Sequence, residues 1–173
     1  MAKRRLIIVR HAKSSWDDPT LDDHDRPLSR RGQRALPVLA EHLRSISAAP
    51  DVVLCSTSAR TIATLDGIKP ALPPDAEIVI DERLFHAGEH WMLDQIRSLP
   101  DAVGSVLVVG HNPGLQEMAI QLVGAGTADD RAQLERKFPT AAAATIVFDG
   151  TWGDVAAGVG HLEHLFLPRP PGS

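Results

Sequence analysis

Leu6-Ile7-Ile8-Val9-Arg10-His11-Ala12-Lys13 is the stretch on which the rest of the chain turns. Four apolar residues, three of them β-branched, describe a short buried strand that empties straight into Arg-His. In an open α/β sheet, chemistry collects at the carboxyl ends of the strands, where the loops begin. A histidine there, beside an arginine that holds its charge at any working pH, suggests a nucleophile next to a phosphate clamp. On those two residues alone, an ordinary polar strand end at the surface is the simpler reading, so the other strands must decide.

Two of them end in the same way. Residues 51–55 form a second buried strand that runs into Ser56-Thr57-Ser58-Ala59-Arg60, a cap-rich turn opening a helix through about Ile68. Residues 105–109 carry the strongest strand signal and end in Gly110-His111-Asn112-Pro113-Gly114. An amphipathic helix over 115–123 follows, with Pro113 at its first position. Elsewhere Ser29 reads as the N-cap of a helix over 32–47, with Leu36, Leu39, Ala40 and Leu43 at helical spacing. Pro37 within it marks a kink or a first turn. Further strands fall at 77–80, 144–148 and 161–167, helices at 89–99 and 129–137, and a turn at 124–127. Strands alternating with helices imply a three-layer α/β/α sandwich, expected as one domain over 1–167 with a disordered Pro/Gly tail at 168–173. Between Ser14 and Leu28 lies a polar loop with two prolines and five aspartates, either a substrate entrance or a solvated surface.

Composition narrows the function. A net charge of −4 over 173 residues argues against nucleic acid or an anionic membrane as partner, while leaving room for a local basic pocket. The single Cys55 excludes an internal disulfide and fits a reducing compartment. Too few apolar residues follow the basic start for a signal peptide, and no apolar run nears the roughly 18 residues of a membrane span, so a cytoplasmic location is expected.

If the three strands are parallel neighbours, Arg10, His11, Arg60 and His111 converge at one sheet edge. Two guanidinium forks match phosphate oxygens, and two helix N-termini add N–H donors. Lys13, Ser14, Ser15 and Asn112 follow closely enough to touch the same phosphate. Neighbouring cations should hold His11 below its ordinary pKa, neutral and nucleophilic, with its other ring nitrogen donating to a backbone carbonyl. Three other readings compete. The stretch from Cys55 to Arg60 looks like a cysteine phosphatase loop, but has four residues between Cys and Arg rather than five, and no glycines. His86 with His90, and His161 with His164, invite a metal but lack a third ligand. A non-catalytic phosphate-binding module would need the arginines but not the nucleophile.

At this point the motifs carry a resemblance. Leu-Ile-Ile-Val-Arg-His-Ala resembles the opening strand of the histidine phosphatase superfamily. Asp25-Arg26-Pro27-Leu28-Ser29 with Gly32, the stretch from Cys55 to Thr64, and Val108 to Pro113 continue it in order. The short length and Lys137-Phe138-Pro139-Thr140 resemble the SixA-like phosphohistidine phosphatase branch. The resemblance implies a phosphoglycerate mutase-like fold with a mostly parallel sheet, and transient phosphorylation of His11. Arg10, Arg60 and His111 would bind the phosphoryl oxygens, with no metal or cofactor. The implied substrate is a phosphohistidine on a protein, or alternatively a small phosphorylated molecule.

Two departures bear on the chemistry. Ala12 replaces the family's usual glycine. Where many members carry an acid that protonates an alcohol leaving group, His86 stands here, with Glu82 and Glu89 as other candidates. A phosphohistidine leaves as imidazole, which needs less acid assistance than an alkoxide, so a missing acid tilts the substrate toward P–N bonds.

Overall fold

The computed structural model describes residues 2–168. Among these, seven strands form one sheet: β1 (Lys3–Arg10), β2 (Val52–Ser56), β3 (Glu77–Asp81), β4 (Ser105–Gly110), β5 (Val123–Ala125), β6 (Ala143–Asp149) and β7 (Gly160–Phe166). Their order is β3-β2-β4-β1-β6-β7-β5. The first four are mutually parallel, β6 is antiparallel to β1 and to β7, and β5 runs parallel to β7. The sheet is therefore mostly parallel, and β2, β4 and β1 are adjacent, as the convergence of their loops requires.

Alternation along the central strands divides the core in two. Leu6, Ile8, Val106 and Val108 face α3 (Glu89–Arg97), α4 (Gly114–Leu122) and α5 (Ala128–Arg136). Ile7, Val9, Leu107 and Val109 face α1 (Arg30–Ser45) and α2 (Ala59–Ile68). Burial on both faces is why these strands read as unbroken apolar runs. No helix among the described residues is long and apolar enough to cross a membrane. The tail expected at 168–173 lies outside the described residues except for Pro168.

Local signals set the helix starts. Ser29 caps α1, its Oγ accepting the Gly32 N–H at 3.1 Å. Ser58, two residues later than Ser56, caps α2 by accepting from Thr61. Pro37 sits in the middle of α1 rather than in its first turn; the buried stripe Leu39, Ala40 and Leu43 carries the helix through it on the solvent side. Pro113 precedes α4 as its N-cap instead of opening it.

One element was not expected. Residues 123–125, expected to lead into a turn, pair with β7 as the edge strand β5. Three residues containing a glycine give no periodicity, and the pairing is imposed from outside: a Cβ on Gly124 would stand 1.9 Å from the Gly158 carbonyl.

Candidate active site

The parallel order β2-β4-β1 brings Arg60, His111 and the Arg10-His11 pair to the walls of one cleft of about 440 Å³. Lys13, Asn112 and His86 line it too. Ser15 does not: its Oγ accepts the Asp17 N–H at 3.1 Å, and Ser14 takes the place on the wall. Glu82 lies outside as well, bordering a separate depression with His24 and Thr57. Glu89, at the start of α3, also stands off the cleft. Of the proton-donor candidates, only His86 reaches the site.

His11 is held from several sides. It is 7% exposed, its amide donates to the Gly110 carbonyl at 3.1 Å, and its Nδ1 lies 2.7 Å from the Ala12 carbonyl. A carbonyl oxygen can only accept, so Nδ1 carries the proton of the neutral ring and Nε2 keeps the lone pair. Behind it, the Ala12 amide donates to Thr64 Oγ1, which donates to the Arg60 carbonyl, tying the nucleophile's loop to α2. Ala141 sits at φ 62°, a left-handed conformation a non-glycine residue resists, and there its amide reaches the carbonyls of both Arg10 and His11.

Burial pushes the His11 pKa down to about 4, with Arg60, Arg10 and Arg26 adding smaller pushes in the same direction. The bond to Ala12 acts the other way, because it favours the protonated ring. The leading cause of the low value is thus desolvation, and the cationic surroundings come second. His111 is pushed down to about 3, again chiefly by burial and then by His11, whose ring centroid is 5.2 Å away. Its Nε2 is 2.9 Å from the Ser56 hydroxyl, so the last residue of β2 orients the side chain delivered by β4.

The arginines are positioned individually. Arg10 donates to the Phe138 carbonyl at 3.1 Å, and Asn112 Nδ2 donates to the same oxygen at 2.8 Å. Arg60 donates to the Asp23 carbonyl at 2.7 Å and to its carboxylate at 3.1 Å. The other oxygen of that carboxylate accepts from Arg26 at 2.8 Å. Each terminal guanidinium nitrogen carries two N–H groups, so Arg60 keeps donors for a further anion. Arg26 in turn donates to the Ser15 carbonyl and Ser14 Oγ and lies over the Trp16 ring, 3.1 Å from its centroid. On the cleft wall, four cations (Arg10, Lys13, Arg26 and Arg60) face one carboxylate, Asp23. The surroundings favour an anion.

Asp23, Ser56, Phe85 and Thr140 are site residues that the sequence did not single out. Ser56 and Thr140 lie in stretches that carry the resemblance, as does Arg26 on the cleft wall, whereas Asp23 is one aspartate among five in the loop, with nothing local to distinguish it. The loop itself is an entrance wall: its short 3₁₀ turn, Asp23–Asp25, brings the carboxylate against Arg60. Cys55 is wholly buried on β2, its Sγ 3.3 Å from the Ser56 carbonyl, and burial pushes its thiol up to about 12. A thiol held in that state is no nucleophile at neutral pH.

Known proteins resemble this chain in sequence and in fold. The model of the histidine phosphatase superfamily, branch 1, matches residues 6–91. An uncharacterized Mycobacterium tuberculosis protein, Rv1276c, is 40% identical over 167 residues, covering 93% of this chain and 100% of that protein. A solved structure from Nakamurella multipartitia, assigned as phosphohistidine phosphatase SixA, is 30% identical with a TM-score of 0.83, over 97% of this chain and 98% of its own. A phosphoglycerate mutase from Plasmodium falciparum, 15% identical, shares the fold with a TM-score of 0.62 over 98% of this chain and 99% of its own. The chain belongs to the histidine phosphatase superfamily. Within it the protein is SixA-like, and it is a hydrolase with a phosphoglycerate mutase-like fold.

Proposed function

We propose that the protein hydrolyses phosphoryl groups through a covalent phosphohistidine on His11, and that its substrate is a phosphohistidine carried by another protein. The observation that carries this reading is the fixed tautomer of His11: Nδ1–H spent on the Ala12 carbonyl leaves Nε2 as the only ring lone pair. In the first step Nε2 bonds to phosphorus while the substrate's P–N bond breaks and its imidazole leaves, taking up a proton from solvent, which the water of the second step gives back. In the second, water bonds to phosphorus, the His11–phosphorus bond breaks, and phosphate departs. Arg10 and Arg60 hold the phosphoryl oxygens through both steps. His111 and the start of α4 stabilise the charge that develops on them.

The cleft's acid–base content supports a P–N substrate. Its one carboxylate, Asp23, is held below the usual carboxylate range by Arg26, with Arg60 assisting, and is ionised at neutral pH. An ionised carboxylate cannot protonate an alkoxide, whereas imidazole leaves with less help. The discriminating experiment compares a phosphohistidine peptide with alkyl phosphates such as a sugar phosphate. The peptide is expected to show a kcat/KM higher by on the order of a hundredfold, the usual worth of general-acid assistance that the alkyl ester would lack. Comparable rates on both, with His86→Ala severe on the alkyl phosphate alone, would instead establish a small-molecule phosphomonoesterase with His86 as its acid.

Arg60→Ala tests the clamp. Loss of one charged donor to the transition state is expected to cost about 2–4 kcal/mol in kcat/KM, with kcat falling as well as KM rising. A rise in KM alone would place Arg60 in ground-state binding only.

A further inference from the structure

A second hollow opens beside the cleft, sharing Lys13 and Thr140 with it. It encloses about 280 Å³ between the first turns of α1 and the segment that follows α5. Lys13, Arg31, Arg34 and Lys137 line it, and among the described residues no carboxylate does. All four residues are exposed. Among the described residues, none of the four side chains makes a salt bridge or a hydrogen bond. In a chain whose net charge is −4, this is a marked local imbalance.

The imbalance runs against the local interest of the helix. A helix N-terminus carries partial positive charge and favours acids in its first turn. The first turn of α1 holds no acid, and Arg30, Arg31 and Arg34 crowd its start. Cations placed where the backbone disfavours them, with no anion among the described residues to compensate, point to an anion from outside. The spacing to the active site is also set. The Ser29 amide and hydroxyl both donate to the Lys13 carbonyl, at 2.9 and 3.1 Å, and a Cβ on Gly32 would stand 2.1 Å from that same oxygen. The start of α1 is therefore locked to the backbone two residues past His11.

We propose that this groove binds an acidic segment of the phosphorylated protein, lying beside its phosphohistidine in the cleft. The proposal rests on the protein-substrate reading above. The groove's lining favours a polypeptide over a bare phosphate: Ala35, Val38 and Pro139 line it together with the cations, and Val38 is 53% exposed. Carboxylate side chains would meet Arg31, Arg34 and Lys137 while the peptide backbone and apolar atoms cover the rest.

The test measures binding of two unphosphorylated peptides, one acidic and one neutral, to the whole protein and to the Arg31→Glu/Arg34→Glu variant. Neither arginine lines the cleft, and glutamates in the first turns of α1 should not impair folding. The acidic peptide is expected to bind the native protein more tightly, with affinity falling steeply as salt rises, and to lose about tenfold or more in the variant. Hydrolysis of a small phosphoramidate should stay within about twofold in the same variant, and Arg31→Gln/Arg34→Gln should fall between the two. Equal binding of both peptides, or an unchanged affinity in the variant, would overturn the proposal. So would inorganic triphosphate binding that depends on Arg31 and Arg34 while neither peptide binds, since the groove would then serve a small polyanion. Because these peptides carry no phosphoryl group, their result is independent of whether phosphohistidine is the substrate.

Discussion

His11→Ala is expected to lower phosphate release from a phosphohistidine peptide by on the order of a thousandfold or more, because it removes the atom that attacks phosphorus. Acid-labile, base-stable phosphate on the protein, trapped by rapid quench in the native chain, should vanish from the variant. Binding of an inert oxyanion such as tungstate should survive, since Arg10, Arg60 and His111 remain on the cleft wall. That retention separates loss of the nucleophile from loss of the fold. Two other nucleophilic groups are poorly placed to take the role of His11. His111 Nε2 is engaged with the Ser56 hydroxyl, and the Cys55 thiol is buried and pushed up to about 12. A variant that keeps most of its turnover would overturn the assignment of His11 as nucleophile, leaving His86 on the cleft wall or water to attack phosphorus.

What the sequence disclosed and what it hid divide along a physical line. Leu6 to Val9 and Val106 to Val109 are wholly or almost wholly buried, and a strand covered on both faces must be apolar throughout, so its pattern is visible in one dimension. Its end is visible too, since the first polar residues after it face the loop side of the sheet. Arg10, His11 and His111 were found in this way, and Arg60 from the capped turn after β2. Asp23 was not, because its role depends on how a fifteen-residue loop folds back on Arg60, a matter of tertiary path rather than of neighbours in sequence. The same uncertainty of path explains why Ser14 and not Ser15 faces the cleft, and why Glu82 falls outside it while His86 lies within. The low pKa of His11 was legible in sign but not in cause. Charges can be counted along a chain, but the burial that matters more here is created only when the folded chain brings His111 and the rest of the cleft wall around His11.

That burial should make the protein sensitive to acid well before its carboxylates titrate. The ordinary histidine pKa is 6.5, and the folded values are about 4 for His11 and about 3 for His111. Above pH 6.5 both states carry neutral rings, and these residues contribute no pH dependence. As pH falls from 6.5 toward 4, the unfolded chain takes up protons that the folded chain refuses, so stability falls with falling pH and recovers as pH rises. Below about 3 both states are protonated and the loss is complete. Together the pair is expected to remove roughly 5 kcal/mol between neutrality and pH 4, less than the two shifts summed because each ring is part of the other's surroundings. Asp23 acts in the same direction but later, since its carboxyl is held below the usual range and protonates only after the histidines have begun to weigh. Urea midpoints measured from pH 7 to pH 4 should show this loss, and His111→Asn, which removes one titrating ring, should flatten the curve by about half. A midpoint independent of pH over that span would mean that both rings are as well solvated as in the unfolded chain. The kcat/KM profile gives the catalytic side of the same property: on the account of His11 it should be level from neutrality down to about pH 5 and fall only as pH approaches 4. An acid limb near 6.5 would place the nucleophile in water, and the desolvation that keeps Nε2 unprotonated would have to be given up.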